Sequence, residues 1–279
     1  MTGAVRIAVL QMTSGIDPAA NAATIAHAVA EAAGEGAAML FTPEMAGLLD
    51  RDRARGSANI VPEAGNPTLA TLQDAAARAG IWLHVGSIPV RAEGEGETRF
   101  ANRCFVIDPT GAIAARYDKI HMFDVDLATG ESWRESAAYR PGGEVVTVEC
   151  PVGRLGLAIC YDLRFPALFE ELGQRRCDAI TIPAAFTVPT GRAHWHLMQR
   201  ARAVEASAFV IAPAQVGHHA DGRETYGHSL VIDPWGDVLL DMGAEAGLGF
   251  ATLDLARLGE VRRQLPALAN RRPIPRSSA

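Results

Sequence analysis

Two stretches of the chain share one plan. Residues 104–117, CFVIDPTGAIAARY, and residues 229–240, SLVIDPWGDVLL, each read as strand, tight turn and strand, with Asp-Pro-x-Gly at the turn. Proline presets the backbone dihedral that the turn needs, and glycine accepts the conformation that closes it. Each unit follows segments in which strands alternate with helices. The pattern predicts two similar halves packed as two sheets, with helices outside.

The segments before the first hairpin carry explicit boundaries. AVRIAVLQ (4–11) alternates as a strand should, and Asp17-Pro18, a cap residue followed by proline, opens a helix that closes at Gly34 or Gly36. AAMLFT (37–42) is a second strand, ending at Pro43-Glu44. Asn66-Pro67 opens another helix, with Leu69, Leu72, Ala76 and Ala79 on one face and a stop at Gly80; IWLHVGSI (81–88) is a third strand. RAEGEGETR (91–99) is charged and glycine-rich, and reads as an exposed connection. In the second half CDAITI (177–182) and SAFVIA (207–212) supply strands, separated by a helix through 192–205. QLPALANRRPIPRSSA (264–279) is a proline-rich, basic surface tail carrying Arg271, Arg272 and Arg276. No internal linker interrupts the chain, so one domain is expected over 1–279, with a core of about 5–255 and a tail of about 256–279.

Composition narrows the functional classes. A net charge of −6 over 279 residues provides no field for nucleic acid or anionic lipid. The cysteines, at 104, 150, 160 and 177, have neither the density nor the short paired spacing of a disulfide scaffold or zinc knuckle, which fits a reducing compartment. The N-terminal MTGAVRIAVLQM lacks the features of a secretory signal, and no apolar run is long enough to span a bilayer. A soluble, cytoplasmic protein is expected.

The chemistry centres on GRLGLAICYDLRFP (153–166). Leu155, Leu157 and Ile159 read as a buried strand, and Phe165, Leu168, Phe169 and Leu172 recur at helical spacing, which puts Cys160 at a strand-to-helix bend. There the positive end of a helix dipole can stabilise a thiolate; a buried structural cysteine is the other reading. Glu44 also follows a buried strand, and Lys119 closely follows the first hairpin. Taken singly, the glutamate reads as a helix-start charge and the lysine as a solvated end. Together at strand ends, where α/β sites collect, they can meet. A carboxylate can take the thiol's proton, and an ammonium can hold the oxyanion when sulfur adds to a carbonyl. The Tyr161 N–H would be the second oxyanion donor. Such a set suffices for acyl transfer without histidine, metal or other cofactor.

The motifs TPE (42–44), YDKIHMFD (117–124), CYDLRFP (160–166), PAAFT (183–187), TGRAHW (190–195), RARAVE (200–205) and YGHSLVIDPWG (226–236) closely resemble, in order, those of the nitrilase superfamily of carbon–nitrogen hydrolases. The resemblance runs from about residue 5 to about 270. It implies an α/β fold, a four-layer αββα sandwich with two mixed sheets and outer helices, dimerised through helices near the site. It further implies Glu44 as general base, Lys119 as oxyanion partner, Cys160 as nucleophile and Glu135, in SWRESAAYRPG, as a second glutamate positioning the lysine. Within the superfamily, APAQVGHHADGRETYGHS (212–229) resembles the amidase branch that includes deaminated glutathione amidase more than omega-amidase. That branch implies a small-molecule amide substrate whose carboxylated 2-oxo end is held by Arg164 and Thr190, with Phe186 lining the pocket. Arg164 could instead brace the bend through Asp162. N-carbamoyl or nitrile hydrolysis, and an idle binding protein, are the alternatives. His194, His196, His218 and His219 invite a metal, but lack a coherent second set of ligands, so none is expected. The resemblance also shows one departure: His196 stands where the relatives have glutamate.

Overall fold

The computed structural model describes residues 3–94, 96–126, 130 and 132–274. The first half runs β1 (Ala4–Gln11), α1 (Pro18–Gly34), β2 (Met39–Phe41), α2 (Arg53–Asn59), α3 (Pro67–Ala79), β3 (Trp82–Arg91), β4 (Phe100–Ile107) and β5 (Ile113–Asp118). A small hairpin, β6 (Asp124–Asp126) and β7 (Ser132–Arg134), leads to the second half. That half comprises β8 (Thr147–Cys150), β9 (Gly153–Leu157), α4 (Pro166–Gln174), β10 (Ala179–Thr181), α5 (Val188–Ala206) and β11 (Phe209–Ala212). A second small hairpin, β12 (Val216–His218) and β13 (Glu224–Tyr226), precedes β14 (Leu230–Ile232), β15 (Val238–Asp241), β16 (Gly247–Asp254) and α6 (Leu255–Gln264).

The halves match strand for strand. One sheet has the order β16-β1-β2-β3-β4-β5 and the other β15-β14-β11-β10-β9-β8. In each, three central strands are parallel, flanked by an antiparallel hairpin on one side and a single antiparallel strand on the other. Both hairpins are built on the same device. Asp108 Oδ1 accepts from the N–H groups of Thr110 and Ala112, and Asp233 Oδ1 from those of Trp235 and Asp237. The aspartate side chain thus mimics a backbone turn, a contribution additional to proline and glycine.

Strand periodicity separates the layers. Ile7, Val9, Met39, Phe41 and Val106 face Leu155, Leu157, Phe209 and Ile211 of the other sheet in one buried cluster, to which Phe169 and Leu172 of α4, against its outer face, also belong. Ala8, Leu10, Leu40, Leu83 and Val85 point the other way, onto Ile25, Val29, Leu69 and Leu72 of α1 and α3. The architecture is the expected αββα sandwich. The expected helix starts are also present: Asp17 Oδ1 accepts from Ala19 and Ala20, Asn66 Oδ1 accepts from Leu69, and α3 stops at Gly80 in the left-handed conformation. No helix of the described residues is long and apolar enough to cross a membrane.

The tail begins later than expected. The boundary near residue 256 falls inside α6, which buries Leu255, Leu258 and Val261 and is tied down by Arg262, donating to the Ser207 and Cys177 carbonyls. Three apolar residues one turn apart among arginines make a docked face that overall polarity conceals. Arg271 lies back on α4, donating to the Glu170 carbonyl; Arg276 is outside the described residues.

One irregularity in β3 prepares the site. The β3–β4 register shifts between Val85 and Ile88, and within that bulge Gly86 lets the Thr42–Pro43 backbone pass so closely that a Cβ would overlap both carbonyl oxygens. The Gly86 N–H donates to Thr42 Oγ1 at 3.0 Å, and Ser87 Oγ accepts from the Met45 N–H at 2.9 Å. The loop carrying Glu44 is therefore bolted to the sheet. Gly86→Ala is expected to destabilise the fold by about 1–3 kcal/mol, seen as a lower urea midpoint at unchanged slope.

Candidate active site

Glu44 stands just beyond β2, Lys119 directly after β5, and Cys160 just beyond β9, so loops of both sheets meet at one end of the sandwich. Cys160 has φ 48°, a conformation rare for a side chain with a Cβ, and its N–H donates to the Pro183 carbonyl at 2.9 Å. It opens a 3-10 turn, Cys160–Arg164, braced by the fully buried Asp162. Asp162 Oδ2 accepts from the Tyr117 hydroxyl at 2.6 Å and the Ile159 N–H at 2.9 Å; Oδ1 accepts from the His121 N–H at 3.0 Å and contacts its Nδ1 at 2.7 Å. Those four contacts occupy the carboxylate, so the expected alternative of an Arg164–Asp162 brace is not the arrangement found.

Lys119 is the centre of a buried charge cluster. Its Nζ donates to Glu44 Oε1 at 2.9 Å and to Glu135 Oε2 at 2.8 Å, with side-chain exposures of 2%, 6% and 11% for Lys119, Glu44 and Glu135. Asn102 Nδ2 donates to both glutamates, at 3.0 and 3.2 Å. The Phe123 N–H fixes Glu135 at 2.7 Å, and the Ala185 N–H holds the free oxygen of Glu44 at 2.9 Å. Every carboxylate orientation is thereby set by a donor on a different segment.

Electrostatics give the cluster its character. Burial pulls the Lys119 pKa down, but the charges of Glu135 and Glu44 outweigh it and hold the ammonium protonated well beyond its usual range. Burial, followed by the charge of Glu44, drives the Cys160 thiol far above the ordinary cysteine value, against the pull of Lys119. The expected helix-stabilised thiolate is thus corrected: α4 starts only at Pro166, beyond the short turn, and the nearer influence is a carboxylate that favours the neutral thiol. A neutral thiol beside the Glu44 carboxylate is arranged to lose its proton to it as sulfur attacks.

Glu44, Lys119, Glu135, Cys160, Tyr161, Arg164, Phe186 and Thr190 all line one cleft of about 1060 Å³. The Tyr161 N–H, at the start of the 3-10 turn, has no acceptor among the described residues. Arg164 has no carboxylate partner among them either: Nη2 contacts His194 Nδ1 at 3.3 Å and Nη1 the Met198 sulfur at 3.7 Å, with the guanidinium 5.5 Å from the Phe186 ring centre. Thr190 is in the first turn of α5, its hydroxyl 2.8 Å from that of Thr187.

Two contributors escaped sequence reasoning. Asn102 is buried within β4 beside Arg103, and a polar residue in a strand that is apolar on either side of that pair is the only signal it leaves. Gln215 Nε2 donates to the Glu44 carbonyl at 2.9 Å, in a stretch read only for family likeness. The four histidines considered as a metal set do not converge: His194 meets Arg164, His218 lies near Glu224, and His219 is tied to Ser14 and Thr225. His196 contacts Asp241 instead.

If the charge of Glu44 holds the thiol neutral while Lys119 opposes it, neutralising Glu44 leaves Lys119 to act alone. The pH midpoint of Cys160 alkylation is therefore expected to move down in Glu44→Gln, followed by mass-resolved iodoacetamide labelling; an unchanged or raised midpoint would contradict this electrostatic account.

Comparison with known proteins agrees with this geometry. A sequence model of the carbon-nitrogen hydrolase family matches residues 6–263. Deaminated glutathione amidase from Bos taurus is 39% identical over 96% of this chain and 82% of its own length. An omega-amidase from Homo sapiens is 34% identical over 96% of this chain and 95% of its own. The crystal structure of the C. elegans NitFhit protein superposes with a TM-score of 0.89 at 33% identity, covering 97% of this chain and 66% of that longer one. A family match over nearly the whole chain, on a shared fold, places this protein in the carbon-nitrogen hydrolase family, as a hydrolase of carbon–nitrogen bonds other than peptide bonds.

Proposed function

We propose that this hydrolase cleaves a small linear amide bearing a 2-oxo carboxylate at its far end, deaminated glutathione foremost, to a carboxylate and an amine, and so serves metabolite repair. The observation that carries the proposal is the pairing, in one cleft, of a buried Glu44–Lys119–Glu135 cluster beside Cys160 with an arginine that lacks a carboxylate partner among the described residues. Glu44 takes the Cys160 proton as sulfur adds to the amide carbon. The oxyanion forms between Lys119 Nζ and the Tyr161 N–H. Its collapse expels the amine, cysteinylglycine from deaminated glutathione or ammonia from a primary amide, which receives the proton from Glu44, and leaves a thioester. Glu44 then activates the water that hydrolyses it, while Glu135 keeps Lys119 in place.

The guanidinium of Arg164 suits a substrate carboxylate through paired, charge-assisted hydrogen bonds. Thr190 adds a hydroxyl, and Phe186 an apolar wall. The relatives named deaminated glutathione amidase favour that substrate; the omega-amidase relative favours 2-oxoglutaramate, which has the same carboxylated end. A cleft of about 1060 Å³ suits the longer molecule.

The protein is proposed to act as a single-domain chain assembled as a homodimer. Leu197 and Val204 on α5, with Trp235, Val238 and Leu239 on the adjoining β14–β15 hairpin, leave apolar surface exposed that a second copy would cover. Its four free cysteines suit the cytoplasm.

Release of 2-oxoglutarate from deaminated glutathione, and of ammonia from 2-oxoglutaramate, an aliphatic amide, an N-carbamoyl amino acid and a nitrile, tests the proposal. Turnover is expected to fall by at least about 10³-fold in Cys160→Ala, and retained turnover would sink the mechanism. Arg164→Met is expected to raise KM for the 2-oxo acid amides by roughly 10–100-fold and to spare the aliphatic amide; equal loss on both would remove Arg164 from the substrate site.

A further inference from the structure

A second group of ligating side chains lies apart from the cleft. His196 on α5, His228 just before β14 and Asp241 at the end of β15 present donor atoms that all lie within 4.8 Å of one another. His196 Nε2 is 2.9 Å from Asp241 Oδ2, and His228 Nδ1 is 2.9 Å from Asp241 Oδ1. None of the three lines the cleft, and the mechanism uses none of them. We propose that His196, His228 and Asp241 form a binding site for a divalent transition metal of the zinc type.

The framework around the group is fixed while its tips are accessible. His228 has φ 55°, strained for a histidine, and its backbone is held on both sides: its N–H donates to the Gly243 carbonyl at 2.7 Å, and its carbonyl accepts from Trp195 Nε1 at 2.7 Å. Its ring stacks on Tyr226 with centroids 4.5 Å apart. Asp241 is oriented by the Gly243 N–H at 2.9 Å. Side-chain exposures of 37%, 26% and 33% for His196, His228 and Asp241 leave a face open for a fourth, water ligand.

Two imidazoles and a carboxylate are ligands for zinc, nickel, cobalt or copper rather than for magnesium or calcium. A tetrahedral zinc site with bonds near 2.0–2.1 Å separates its donors by about 3.3 Å. Each histidine is already that close to one oxygen of Asp241, His196 to Oδ2 and His228 to Oδ1, so binding requires a small turn of the carboxylate and an approach of the two imidazole nitrogens. Binding needs little proton release. Each imidazole that now donates to Asp241 can carry its proton on the opposite nitrogen, His196 on Nδ1 and His228 on Nε2, leaving a lone pair for the ion. The departure noted at residue 196 thereby acquires a role: a histidine there completes a set of two imidazoles and one carboxylate.

The test is calorimetric titration of chelator-treated full-length protein with zinc chloride, beside His196→Gln and His228→Asn. Glutamine keeps a donor for Asp241, and asparagine tolerates positive φ, so both variants should retain the fold, checked by circular dichroism and thermal melting. One zinc per chain is expected, weakened in each variant by more than the roughly 10–100-fold that loss of a mere supporting partner produces. Cobalt(II) should give visible d–d bands without a thiolate charge-transfer band. No zinc binding, equal affinity in folded variants, or a thiolate band that moves the ion to a cysteine would each overturn the proposal.

Discussion

The buried ion cluster of Lys119 with Glu44 and Glu135 is the interaction on which the site depends. An ammonium at 2% exposure is unfavourable unless its charge is met, and the structure meets it with two carboxylates within 3 Å. That arrangement overcompensates by one negative charge. The excess is carried by groups beside Cys160, where it holds the thiol neutral and supplies a carboxylate to receive its proton. Stability and reactivity therefore have a common origin. Removing Lys119 leaves two buried carboxylates unmatched, and removing Glu44 or Glu135 leaves the Ala185 or the Phe123 N–H without its acceptor, so the cluster depends on its donors as much as on its charges.

Those donors explain why the chain needs two sheets. Glu44, Asn102 and Lys119 belong to the first half, whereas Cys160 and Ala185 belong to the second. The seam between the halves is where the Glu44 carboxylate of one meets the Cys160 thiol of the other. The apolar cluster joining Ile7, Val9 and Phe41 to Leu155, Leu157 and Ile211 thus sets the spacing of the polar groups at its end. Gly86 adds a finer adjustment, since the close passage it permits places the Glu44 loop against β3 rather than over it.

What the sequence revealed and what it hid follow from the range of each interaction. The hairpins, the caps at Asp17 and Asn66 and the bend at Cys160 depend on residues within a few positions of one another, and their signatures survive in one dimension. Glu44 and Lys119 were legible because each ends a strand, a place with chemical meaning. Glu135 follows a three-residue strand in a small hairpin, so local pattern marks it only as a surface charge; family likeness alone singled it out. Asn102 and Asp162 act across 58 and 45 positions, on Glu44 and from Tyr117 respectively. No local spacing encodes such distances. Helix α6 was hidden differently, its buried stripe being diluted by four neighbouring arginines and glutamates in a short segment.

The 3-10 turn concentrates the remaining specificity. Cys160, Tyr161, Asp162 and Arg164 occupy a single five-residue segment, so the proposed nucleophile, oxyanion donor, brace and carboxylate receptor move as one body. At about 2.0 Å of rise per residue, the backbone positions of Cys160 and Arg164 lie roughly 8 Å apart. With Cys160 and Arg164 in the roles proposed for them, that span would set the distance between the carbon under attack and the far carboxylate, less what the arginine side chain recovers by folding back along Phe186. A longer acyl chain must then arch toward the Phe186 wall, and a shorter one leaves either the carbonyl short of sulfur or the carboxylate short of the guanidinium. Because Asp162 fixes the turn through four contacts, the span cannot relax to suit the substrate. Discrimination among amides on this scaffold is consequently a matter of length first and of head-group chemistry second.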